Sequence, residues 1–179
     1  MKIEDTDLPG VKIVSLDCFR DGRGCFVPSF DAAWCRENLG ATFVQDNLSR
    51  SRRGVLRGLH YQYPGWQGKL VSVVRGEIFD VVVDLRPGSP TRGRWKGFVL
   101  SAPNHQQLWV PEGFAHGFCV LSDMADVLYK VTAPRNADTE GVLAWNDPSL
   151  SIRWPTKTPV LSERDKRGLS VEEVLRSVK

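Results

Sequence analysis

Histidine is scarce in this chain, and that narrows the chemistry at once. Only His60, His105 and His116 can supply an imidazole among 179 residues. Cysteine is sparse as well: Cys18, Cys25, Cys35 and Cys119 show no CxxC spacing. They read as four reduced thiols filling structure in a cytoplasmic protein. No apolar run approaches the length of a membrane span, and the N-terminal MKIEDTDLPG lacks the apolar core of a signal peptide. Charge of one sign does not accumulate either. Lys and Arg number 24 against 21 Asp and Glu, a net charge of +3. The one small cluster, Arg50, Arg52 and Arg53, is no nucleic-acid arm, so neither nucleic acid nor membrane is expected as a partner. Repeats, low-complexity tracts and interdomain linkers are missing.

With 41% hydrophobic and 25% charged residues, the chain has enough apolar material for one domain with a real core. Short strands bounded by turn residues follow one another. Val11–Leu16, Cys25–Phe30 (an edge strand, given Pro28) and Thr42–Ser49 come first. Trp95–Leu100, Gln107–Val110, Gly117–Leu121, Val127–Thr132 and Val142–Trp145 come later. RDGRG at 20–24 and PGSPT at 87–91 are turns. Asp31 is placed to cap a short helix through Asn38. Near the end, Ser170 and Glu173 have capping-box spacing, with Leu169 and Val174 as a hydrophobic staple, which predicts a helix from about Val171. The fold expected is all-β, a sandwich with a few short helices: a domain over 1–165 and a helical tail over 166–179 packed on it.

The stretch from Gly54 to Arg86 organises the rest. Arg57 and His60 open it, and Lys69 follows a Pro-Gly-rich turn. A hydrophobic strand pair then breaks at Gly76, and Ile78–Leu85 is mostly apolar, interrupted by Asp80 and Asp84. Such a run has at least one face buried against another sheet. Imidazole, guanidinium and ammonium groups around one core suit an anionic ligand with a proton-transfer centre beside it. His116, in PEGFAHGF between two glycines, is expected to line the same pocket, whereas His105 reads as a structural turn residue.

The spacing Gly54, His60, Gly76, then Pro111-x-Gly113-x-x-His116, resembles the two motifs of the cupin superfamily and so implies a jelly roll. Metal-binding cupins use His-x-His and then Glu. Here Gln62 stands at the second histidine and Lys69 where the glutamate would fall, and amide and ammonium are poor company for a divalent cation. No metal and no cofactor is expected.

Longer segments carry a closer resemblance. QDNLSRSRRGVLRGLHYQYPGWQGKLVSVVRGEIFDVVVDLRPGSPT, QLWVPEGFAHGF, YKVT, WNDPSL and WPTKTPVLSERD resemble the dTDP-4-dehydrorhamnose 3,5-epimerase family over roughly Asp21 to Asp165. The resemblance implies a metal-independent cytoplasmic homodimer acting on a nucleotide-diphosphate 4-ketosugar in deoxysugar biosynthesis. It implies His60 as base, Asp165 as its orienting partner, Lys69 as stabiliser of an enolate oxygen and Tyr129 as acid on the opposite ring face. It places Arg23 and Arg57 on the diphosphate, and Phe26, Gln45, Asn47, His116, Glu140 and Arg164 at further contact positions. Taken alone, Tyr129 would read as a core aromatic and Asp165 as surface.

Two departures fall in the nucleotide-binding part. The family pattern DxRGxFxE survives as Asp21, Arg23, Gly24 and Phe26 but ends in Pro28. After YKVT, where the family has aromatic residues, stand Ala133, Pro134 and Arg135. Arg135 is a candidate guanidinium lid over the base, which would open the choice to GDP-, CDP- or UDP-linked sugars. A 3,4-ketoisomerase and a non-catalytic sugar-nucleotide-binding cupin complete the alternatives.

Overall fold

Residues 1–179 are all described in a computed structural model, which contains thirteen strands and two α-helices. The strands are β1 (Lys2–Asp5), β2 (Lys12–Ser15), β3 (Phe19–Asp21), β4 (Gly24–Phe26), β5 (Gln45–Arg52), β6 (Leu56–Gln62) and β7 (Lys69–Arg75). They continue as β8 (Glu77–Asp84), β9 (Trp95–Ser101), β10 (Gln106–Val110), β11 (Phe114–Val120), β12 (Met124–Val131) and β13 (Glu140–Val142). The helices are α1 (Ala32–Leu39) and α2 (Val171–Ser177).

Antiparallel pairing builds a six-stranded sheet, β1-β2-β10-β7-β12-β5, and a five-stranded sheet, β13-β6-β11-β8-β9, while β3 and β4 pair only with each other. The two large sheets form the expected jelly-roll sandwich. Their facing sides enclose a core that includes Val71, Val73, Ile78, Val82, Leu108 and Phe118. The outer side of the five-stranded sheet is not left wet. Leu59, Val81, Val83 and Leu85 pack there against Val171 and Val174 of the C-terminal tail. That double burial explains why β8 reads as a nearly continuous apolar run. Its polar interruptions, Asp80 and Asp84, point to the sandwich interior with partners. Asp84 accepts hydrogen bonds from Arg86, Ser89 and Thr91, and Asp80 meets His116.

Local chemistry sets the helix ends. The Asp31 carboxylate accepts from the amides of Ala33 and Trp34 at 2.8 and 3.0 Å, and Gly40 closes α1 at φ 65°. Ser170 and Glu173 form the capping box that starts α2. Leu169, however, remains 46% exposed, and its contribution is backbone pairing with Val142 and Ala144 instead of a staple. The strand expected over Cys25–Phe30 stops at Phe26, and Pro28 lies in the extended segment beyond it. β1 has too many charges (KIED) to announce itself; it is an edge strand.

A pair of glycines lets β6 and β11 approach where the candidate site residues sit. A Cβ on Gly58, which has φ +121°, would fall 2.6 Å from the Gly117 Cα and 2.8 Å from the His116 carbonyl oxygen. The ladder between these strands shifts register between His116 and Phe118. We expect Gly58→Ala to cost at least about 2 kcal/mol of stability through overpacking and strained φ. A lower urea midpoint at unchanged slope would show this; an unshifted midpoint would mean that the strands can separate there freely.

Candidate active site

A cavity of about 250 Å³ opens between the sheets, lined mostly by polar and charged residues. Strand parity explains its position. Along β7 the inward side chains are Lys69, Val71 and Val73, so the apolar core gives way to an ammonium group at one end. β12 pairs with β7 so that Val131 lies opposite Lys69 and Tyr129 opposite Val71, and β5 adds Asn47 opposite Tyr129. From the five-stranded sheet, His60 and His116 are direct partners across the β6–β11 ladder. Lys69 and Tyr129 therefore face the cavity from one sheet, His60 and His116 from the other. Ser162, Arg164 and Asp165 of the tail complete the lining.

His60 Nε2 lies 2.6 Å from Asp165 Oδ1. The other carboxylate oxygen accepts from the Ser162 hydroxyl at 2.8 Å. Burial opposes ionisation of Asp165, but the hydrogen bonds from His60 and Ser162 outweigh it and hold its carboxyl below the usual range. An ionised carboxylate only accepts, so Nε2 carries the hydrogen, and in the neutral ring the lone pair is then on Nδ1. The tail itself is anchored nearby, since Val160 exchanges backbone hydrogen bonds with Gly54 and Leu56 at 2.8 and 3.0 Å.

Across the cavity the electrostatics are tuned by burial. Desolvation lowers the Lys69 ammonium to about 8, against the attraction of Glu140, Asp80 and Glu112. At neutral pH it remains mostly a cation, though a poised one. Burial also raises the Tyr129 phenol, with Arg57 pulling the other way, which keeps a proton on its oxygen. Glu140 is half-buried, which opposes its ionisation, yet Arg164 at 2.5 Å and Arg135 at 2.8 Å hold it below the usual carboxylate range.

Of the residues singled out in the sequence, His60, Lys69, Tyr129, Asp165, Asn47, Arg57, His116, Arg135, Glu140 and Arg164 all line this cavity. Gln45 stands just behind, its amide donating to Asn47 at 2.7 Å and its carbonyl accepting from the Arg135 backbone. Arg23 and Phe26 are elsewhere. They ride on the β3–β4 hairpin, where Arg23 pairs with Asp21 and Phe26 is 69% exposed. Arg135 is not a free lid, because its guanidinium is tied to Glu140. Gln62 is committed to structure: its amide donates to the Gly65 and Pro134 carbonyls and its oxygen accepts from Asn136. With His116 bonded to Asp80 and a buried ammonium alongside, the donor set does not suit a divalent cation. Asp80 and Ser49 were missed. Asp80 was visible only as an acid interrupting an apolar strand, and its hydrogen bond to His116 at 2.9 Å joins residues far apart in sequence. Ser49 lines the cavity with a buried hydroxyl that has no protein partner.

Comparison with known proteins gives concordant results. A family model described as dTDP-4-dehydrorhamnose 3,5-epimerase matches residues 5–173. The dTDP-4-dehydrorhamnose 3,5-epimerase of Neisseria gonorrhoeae is 58% identical over 94% of this chain, which spans only 52% of that longer protein. The Shigella flexneri protein of the same name is 50% identical, with 94% of both chains covered. Among solved structures, a dTDP-6-deoxy-D-glucose-3,5-epimerase from Legionella pneumophila in complex with dTDP-4-keto-L-rhamnose superposes with a TM-score of 0.92 at 48% identity, covering 96% of this chain and 93% of its own. A 4-keto-6-deoxy sugar epimerase from Streptomyces spheroides gives a TM-score of 0.93 at 39% identity, covering 99% and 90%.

The buried Lys69 has a signature in stability. Its folded pKa of about 8 lies below the ordinary 10.5, so between those values the unfolded chain binds the extra proton and stability rises with pH. Below about pH 8 both states are protonated and the full cost of burying the charge is felt. Wild type should therefore gain on Lys69→Met by something of order 3 kcal/mol as pH rises through that window. Urea midpoints of the two proteins across the range test it; a constant difference would mean that the ammonium is not desolvated.

Proposed function

The chain belongs to the dTDP-4-dehydrorhamnose 3,5-epimerase family, and from that premise we propose that it inverts C3 and C5 of a thymidine-diphosphate-linked 4-keto-6-deoxyhexose. The observation that carries the proposal is the two-sided cavity, with an imidazole–carboxylate pair on one sheet and a protonated phenol beside an ammonium on the other.

Both carbons adjoin the C4 carbonyl, so their protons are acidic. His60 Nδ1 takes the proton from C3 or C5. The C–H electron pair becomes the enolate double bond, and the carbonyl pair moves onto oxygen. The Lys69 ammonium donates to that oxygen, a preorganised interaction of a kind worth roughly 3–4 kcal/mol. Tyr129 then returns a proton to carbon from the opposite face, and the centre is inverted. Asp165 fixes the His60 tautomer and stabilises the imidazolium that forms. The Ser49 hydroxyl supplies a donor for the sugar, while His116, held by Asp80, and Asn47, Gln45, Glu140, Arg135 and Arg164 shape the pocket wall. Arg57 takes the diphosphate.

A single chain does not bring Arg23 and Phe26 to this cavity. We assign them to the site of a second copy in a homodimer, where Arg23 would reach the diphosphate and Phe26 the thymine. Exposed Phe19, Phe26, Val44 and Leu48, the last on the open edge strand β5, favour such an assembly. No helix is long and apolar enough to cross a membrane; the four free cysteines fit a reducing cytoplasm.

His60→Ala and Tyr129→Phe should fail in different ways. Loss of the base should reduce both solvent-deuterium uptake and inversion at least about 10³-fold. With Tyr129→Phe, His60 still removes a proton and returns one to the same face, so uptake should outlast inversion by at least about tenfold. Mass spectrometry for uptake and NMR for configuration separate the two quantities. Wild-type exchange in His60→Ala, or parallel losses in Tyr129→Phe, would overturn the respective role.

A further inference from the structure

Two thiols and an imidazole meet at the base of the β3–β4 hairpin, among residues that do not line the catalytic cavity. We propose that Cys18, Cys25 and His105 form a binding site for one thiophilic divalent cation of the zinc type, with water in the fourth position. Cys18 directly precedes β3, Cys25 is the middle residue of β4, and His105 follows a single 3-10 turn at Ala102–Asn104. Their two sulfurs and a ring nitrogen all lie within 4.8 Å of one another. Around a tetrahedral zinc ion, with metal–sulfur bonds of about 2.3 Å and metal–nitrogen bonds of about 2.0 Å, neighbouring ligand atoms stand roughly 3.5–3.8 Å apart. The upper bound of 4.8 Å exceeds that separation by only about 1 Å.

His105 is held as a ligand would be. Its backbone occupies the left-handed region at φ 50°, after a capping box between Ser101 and Asn104. Its carbonyl accepts from the Leu16 amide at 2.9 Å, which ties the turn to the strand leading into Cys18. The ring is stranded in hydrogen-bonding terms, because Nε2 is buried with no partner. A buried imidazole nitrogen almost always finds one. A disulfide between Cys18 and Cys25 would use the sulfurs and leave His105 unexplained; a metal ion uses all three. Two thiolates neutralise the cation, and each thiol releases its proton on binding.

The site links two bodies. Cys18 and Cys25 belong to the hairpin, which pairs with neither sheet, and His105 belongs to the sandwich. A bound ion would fix the hairpin that carries Arg23 and Phe26. That consequence rests on the role proposed for those two residues, whereas the binding itself does not.

Cobalt(II) titration of the reduced, chelator-treated protein tests the site. One equivalent should produce the near-ultraviolet thiolate-to-cobalt charge-transfer absorption and visible bands of a tetrahedral site, and zinc should abolish both. Cys25→Ser, at an exposed position, and the double variant Cys18→Ser/Cys25→Ser should lose the charge-transfer band while keeping a wild-type circular dichroism spectrum. His105→Ala should weaken cobalt binding at least about tenfold. A reduced wild type without the band, including one whose two thiols merely link on oxidation, would overturn the proposal. So would a band surviving in the double variant, or an unchanged affinity in His105→Ala. Cobalt spectra do not depend on turnover, so failure of the epimerase reading would leave this result standing, and the reverse.

Discussion

The hydrogen bond between His60 and Asp165 joins the fold to the proposed chemistry. Asp165 sits in the tail, beyond the last strand, and only a tail wrapped back over the five-stranded sheet can present its carboxylate to β6. That wrapping is secured twice. Val160 takes backbone bonds from the start of β6, and α2 buries Val171 and Val174 against the outer face of the same sheet. Burial of those apolar side chains, each worth about 1.5–3 kcal/mol, thus holds the orientation of the His60 imidazole some distance away. Loosening the tail would free the imidazole to rotate and to exchange tautomers.

A second constraint is the cost of placing charge between two sheets. The carboxylates of the cavity region all have partners: Glu140 has two guanidinium groups, and Asp165 and Asp80 are each hydrogen-bonded to a histidine. Lys69, like Arg57, has no direct ion pair; it is compensated only at a distance, so burial lowers it to about 8. A cation without a dedicated partner is suited to meet a negative charge that exists only during reaction. In the proposed reaction Tyr129, kept protonated on the same sheet, is the complementary device: a weak acid placed to yield its proton to a carbanion more readily than to water.

Much of this was legible in residue order. Capping chemistry at Asp31 and Ser170 announced both helices, and short strands between turns announced the sandwich. The motif around His60 and the LSERD tail named the dyad through resemblance, which local propensity could not have done for an acid in a polar tail. Long-range facts were harder. Nothing near Asp80 in sequence points to His116, and only strand pairing reveals that Gln62 spends its amide on three backbone groups. The resemblance implies contact roles for Arg23 and Phe26, yet a single chain holds them on the β3–β4 hairpin, away from its own cavity. The cluster of Cys18, Cys25 and His105 was invisible because its spacing follows no linear metal motif; a hairpin and a distant turn bring it together.

When a proton leaves from one face and another is delivered from the opposite face, the incoming proton must be drawn from solvent. Conversion of dTDP-4-keto-6-deoxyglucose in deuterium oxide by the wild-type protein, followed by proton NMR, tests it most directly. Deuterium should enter at C3 and C5 and nowhere else, with both centres inverted and the carbonyl retained at C4. Inverted product without label, a carbonyl found at C3, or an unchanged substrate would contradict it.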